Sequence, residues 1–92
     1  MSLTTVELAR ARDTVAAVLE ALRLATYQFA VEPGEGRWTV QVECASDRGW
    51  TSVMLELTSE TLQRAQEDPL ARARLQAEWA RKLAACRVAD GS

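Results

Sequence analysis

Along the first quarter of the chain apolar residues recur at spacings of three and four; from residue 27 the spacing drops to two. Leu8, Ala11, Val15, Val18, Leu22 and Ala25, with Leu19 beside them, make one helical stripe, and Arg12, Asp13, Glu20 and Arg23 take the other directions. Thr4 and Glu7 stand at capping-box spacing, in which each side chain satisfies an orphan backbone donor of the first turn, so a helix is predicted over residues 4–26. Tyr27, Phe29 and Val31 then alternate with Gln28, Ala30 and Glu32, and Trp38, Val40, Val42 and Cys44 alternate with Thr39, Gln41 and Glu43. Pro33-Gly34-Glu35-Gly36 separates the two runs as a turn. Ser46-Asp47-Arg48-Gly49 is a second turn, after which Val53, Leu55 and Leu57 alternate with Ser52, Met54 and Glu56.

The period lengthens again after residue 57. Thr58 or Ser59 can cap a short helix carrying Leu62 and Ala65, and Asp68-Pro69 stops it and starts another, because aspartate caps well and proline is tolerated in a first turn. The last helix, to about Arg87, has an alanine side (Ala73, Ala77, Ala80, Ala84) and a bulky side (Leu75, Trp79, Leu83, Cys86), so it is expected to touch two neighbours. The predicted fold is α+β, a single domain over residues 1–92. It comprises an N-terminal helix (4–26), a three-stranded antiparallel β-meander (27–57), one broken or two consecutive helices (58–87) on one sheet face, and a frayed tail (88–92).

Composition narrows the function classes. Hydrophobic residues are 48% of the chain, enough for a folded core, but 16 of them are alanine, so the large side-chain area available for burial is limited. Histidine is absent, which removes the commonest general base, the imidazole metal ligand and any Ser-His-Asp or Cys-His arrangement. Net charge is -2, so no overall positive field draws nucleic acid or an anionic membrane. Ten arginines against one lysine, with no isoleucine or asparagine, is a bias associated with GC-rich bacterial genomes.

Little chemistry is on offer. Cys44 and Cys86 lie on apolar faces of two different elements, without a CxxC pair, and are expected to be free, buried thiols in a reducing, cytoplasmic compartment. No basic region followed by an apolar run opens the chain, so no signal peptide is expected, and no apolar stretch is long enough to span a membrane. Glu32, Glu43 and Glu56 share a sheet face but lack the spacing of a calcium loop, and Gly34-x-Gly36 leads into a strand instead of a phosphate-binding helix. No catalytic residue, cofactor or metal is therefore expected.

What remains is surface. If Val53, Leu55 and Leu57 face the helices, Trp50 and Met54 stand on the outer sheet face, and the third strand is an edge carrying one charge over Thr51–Leu57. Over residues 70–87 Arg72, Arg74, Arg81, Lys82 and Arg87 oppose Glu78 alone, giving a basic helix with an Arg74, Glu78, Lys82 ladder. The expected function is a non-enzymatic protein-interaction module, a homodimer or an accessory subunit. Its contact residues would be Trp50, Met54, Val53, Arg74, Arg81 and Lys82, with neither nucleic acid nor membrane as partner. The alternatives are a nucleic-acid-associated regulator using the basic helix and a thiol-dependent enzyme or redox protein. Double-stranded RNA-binding domains share the element order, but they carry a lysine cluster where the last helix begins. The matching stretch here, Thr58-Ser59-Glu60-Thr61-Leu62-Gln63, has an acid and no lysine, and no membership of that family is inferred.

Overall fold

The computed structural model describes residues 4–89. The elements run α1 (Thr5–Leu22), β1 (Tyr27–Pro33), β2 (Arg37–Ser46), β3 (Gly49–Thr58), α2 (Ser59–Glu67) and α3 (Pro69–Lys82). The sheet is an antiparallel meander in the order β1-β2-β3, followed by two consecutive helices, as the alternation of periods predicts.

Helix boundaries follow local chemistry. The Thr4 side chain accepts a hydrogen bond from the Glu7 amide (3.1 Å), which starts α1. The helix ends at Leu22, short of the predicted Thr26, because Arg23 turns into the left-handed region (φ 57°, ψ 43°) and its amide closes on the Glu20 carbonyl. Asp68 ends α2 with its amide on the Arg64 carbonyl and begins α3 with its carboxylate on the Leu70 amide (2.9 Å). The Arg72 guanidinium reaches back to the Ala65 carbonyl (3.0 Å) and so satisfies an acceptor in the last turns of α2.

The core lies between the inner sheet face and the helices. Trp38, Val40, Val42 and Cys44 of β2 are buried with Leu55 and Leu57 of β3, against Ala11, Val15, Val18 and Leu19 of α1, Leu62 and Ala65 of α2, and Leu75 and Trp79 of α3. Alternate burial along β2 is the signature of a sheet covered on one side.

Three expectations fail. The last helix meets α1, α2 and β3, as its wide apolar arc predicts, but not through its alanine side: Ala73, Ala77, Ala80 and Ala84 are exposed. It ends at Lys82, short of the predicted Arg87, and its buried stripe is Leu75 and Trp79, continued by Leu83 just past its end. Alanine brings little apolar area, so leaving it in water costs little while its helix propensity is kept. Second, the start of the predicted tail is held in place. Val88 bridges Leu24, the Arg87 amide bonds the Ala45 carbonyl, and the Ala25 and Ala89 amides bond the Arg87 and Arg23 carbonyls. The remainder of that tail, 90–92, lies outside the described residues.

Third, the cysteines are not free thiols. Cys44 and Cys86 form a disulfide, with Cα atoms 5.5 Å apart, and no described cysteine is unpaired. The turn that follows α3 carries Cys86 over the end of β2, so the two apolar faces on which the cysteines lie are opposite sides of one contact. With the bond, the argument from free thiols to a reducing compartment falls. No helix among the described residues is long and apolar enough to cross a membrane.

Candidate interaction surface

Strand register sets what the outer sheet face displays. Gln41 pairs with Ala30 and Met54, Thr39 with Glu32 and Glu56, Glu43 with Gln28 and Ser52, and Ala45 with Trp50. The face is thus polar toward β1 and apolar toward β3, where Trp50 and Met54 are 60% and 61% exposed. Ser52 separates them, two residues from each, so their Cα atoms stand about 14 Å apart along the strand. Glu32 and Glu56 share a row across Thr39, whereas Glu43 stands two rows away. Among the described residues no three carboxylate or thiol groups gather as metal ligands.

The direction of the backbone groups on the sheet edges follows from the hydrogen bonds at its ends. The Ala45 amide bonds the Thr26 carbonyl (3.0 Å) and the Gly34 amide the Arg37 carbonyl (2.9 Å), so odd residues of β2 point toward β1. Even residues of β2 therefore point toward β3, and the Ser59 amide on the Gly36 carbonyl (3.0 Å) continues that ladder. On β3 the odd residues are consumed by β2. Trp50, Ser52, Met54 and Glu56 direct both N–H and C=O at the open edge, and their side chains are those of the outer face. By the same alternation Tyr27, Phe29, Val31 and Pro33 aim at the open edge of β1, where Pro33 has no N–H to offer. Between Gly49 and Thr58 the β3 edge has no such interruption.

The predicted contact residues do not form one site. Val53 lies on the inner face opposite Val42 and is half-buried against the core, so its side chain is not available to a partner. Arg74, Arg81 and Lys82 are exposed on α3, on the far side of the sheet from Trp50 and Met54. Two other cations of that stretch are engaged: Arg72 on α2, and Arg87 in an ion pair with Asp47 (3.1 Å). The Arg74, Glu78, Lys82 ladder does not form; among the described residues the other ion pair joins Arg64 and Glu60 (2.8 Å). Arg74, Arg81 and Glu78 instead line a shallow depression of about 350 Å³ between α2 and α3, with Arg64 and Leu75.

Sequence reasoning missed one concavity, an open groove of about 370 Å³ where the start of α1, the β1–β2 turn and α2 meet. Its walls include Glu7, Arg10, Trp38, Leu62 and Gln63. These residues come from three separated segments, and nothing in their local spacing signals the meeting. No protein-family model matches the chain, and neither the curated proteins nor the solved structures contain a match to it.

Proposed function

We propose that this chain is a non-enzymatic protein-interaction module that recruits its partner through the open edge of β3 and the adjoining outer face. One observation carries the reading: Trp50 and Met54, both well exposed, flank a strand edge whose amides and carbonyls are unused by the fold. An exposed edge of that length is the surface to which another strand adds. The thiol-dependent alternative is not favoured, since both sulfurs are engaged in one bond and both cysteines are buried. A second reading, contact with a polyanion, rests on Arg74, Arg81 and Lys82 being exposed on α3 without an acidic partner within salt-bridge distance among the described residues.

The two readings separate in one experiment. Proteins captured by the tagged wild-type chain in its native host are compared with those captured by Met54→Lys and by Arg74→Glu/Arg81→Glu. Loss with Met54→Lys and retention with the arginine variant supports the β3 edge. The reverse pattern, with capture that weakens steeply as salt rises, moves the function to α3.

A further inference from the structure

We propose that the chain that pairs with the β3 edge is a second copy of itself, joined antiparallel about a two-fold axis at Ser52. This rests on the β3-edge reading above and names its partner. A symmetric pairing keeps inner side chains with inner and outer with outer only when residues whose numbers sum to an even value face each other. Near the middle of the strand that leaves registers centred on Ser52, Val53 or Met54.

They differ in what they bring together. Centring on Val53 sets Trp50 against the partner's Glu56, and Met54 against the partner's Ser52. Centring on Met54 sets Trp50 against the partner's Thr58, and Ser52 against the partner's Glu56. Centring on Ser52 sets Trp50 against the partner's Met54 and brings Glu56 to the end of the partner's strand, beside the turn that carries Arg48, each twice by symmetry. An aromatic ring meets a polarisable sulfur, and a carboxylate comes within reach of the long side chain of a guanidinium on the adjoining turn. In this register the open N–H and C=O groups of Trp50, Ser52 and Met54 all find partners, adding about six ladder hydrogen bonds. Trp50 has Ala45 as its neighbour within the sheet, which leaves room beside the indole for the incoming side chain. Matching apolar groups within the strand, and a charge on it with a charge on its own turn, is what a second copy requires and an unrelated strand does not. The result is a continuous sheet in the order β1-β2-β3, then the partner's β3-β2-β1. An interface confined to one edge and the side chains along it belongs to the small, weak class.

Sedimentation velocity from micromolar to hundreds of micromolar tests the pairing, and the mass should rise from 10.2 kDa toward twice that value. Arg48→Glu and Glu56→Arg should each weaken self-association by about tenfold, since each places like charges at both symmetric pairs. An equimolar mixture of these two variants should recover wild-type affinity as a heterodimer, because both charged pairs are then opposite in sign. Residue-resolved amide exchange should show Trp50, Ser52 and Met54 gaining protection with concentration, while Thr51, Val53 and Leu55 are protected throughout. Met54→Pro, which removes an edge donor and no bond to β2, should stay monomeric. A wild-type chain monomeric at hundreds of micromolar overturns the proposal, as does a dimer that the mixed variants fail to restore. In the monomeric case, host partners lost with Met54→Lys leave the β3-edge reading standing. If Met54→Lys loses no partner, that reading falls as well.

Discussion

Cys86, in the turn after α3, is bonded to Cys44 of β2 across a sequence separation of 42, and both residues are buried. The bond closes a loop that contains the last strand and two helices. Beside it the Arg87 and Ala89 amides bond the Ala45 and Arg23 carbonyls and the Ala25 amide bonds the Arg87 carbonyl, so the covalent link and three backbone hydrogen bonds fasten the same end of the molecule.

Replacing both cysteines with alanine should lower unfolding free energy by about 4 kcal/mol, the loop-closure entropy restored to the unfolded chain. Urea unfolding of oxidised wild type and Cys44→Ala/Cys86→Ala measures it. Thiol titration of the denatured chain without reductant should find no free thiol, and two would show that the bond does not form.

Arg23 holds a left-handed backbone conformation that costs a β-carbon-bearing residue about 1–2 kcal/mol. Arg23→Gly should therefore raise stability by about 0.5–1 kcal/mol, after the greater entropy of an unfolded glycine is subtracted. Arg23→Ala is the control, since it keeps the β-carbon and should give no comparable gain. Equal effects of the two would place the cause in the arginine side chain.

The Trp79 indole N–H is buried without a hydrogen-bond partner among the described residues, in a residue with no exposed surface. An unpaired buried donor costs about 1–3 kcal/mol, so Trp79→Phe removes a penalty while opening a small void. The two should offset to within about 1 kcal/mol, whereas Trp79→Ala should cost about 3–5 kcal/mol. Chemical denaturation of the two variants decides, and a Phe variant as damaged as the Ala variant would mean that the N–H is bonded after all.

Tyr27 begins β1, and its hydroxyl titrates above its ordinary value near 10 because of burial, with the Glu20 carboxylate adding to the rise. The folded chain therefore keeps this proton at a pH where the unfolded chain has lost it. Stability should fall as pH climbs above about 10, and level off once the folded group has also ionised. Tyr27→Phe should flatten that part of the profile, and an unchanged slope would assign it to other groups.

Most of the architecture was legible because it is local. The Thr4 cap, the Asp68-Pro69 break and the switch between periods of 3.6 and 2 each act within a few residues, and the alternation of Val40 and Val42 with Thr39 and Gln41 already separates the two sheet faces. From it the exposure of Trp50 and Met54 followed. What periodicity cannot supply is which face meets which. Cys44 and Cys86 each read correctly as buried, yet nothing within either run says that the two runs touch. Val53 shares its strand with the exposed pair, but its parity carries it into the core. The alanine face of α3 was misjudged for the converse reason, since small apolar side chains mark a contact and an inexpensive exposure alike.

Pro33 gives the sheet a direction of growth. The β1 edge lacks a donor at that position while the β3 edge is whole from Gly49 to Thr58, so the two edges of the sheet are unequal as pairing surfaces. When two copies join through β3, the outward edges that remain are both β1, each interrupted at its proline. In such a pair the less complete edge faces outward at both ends of the sheet, where a further strand would find one ladder bond fewer.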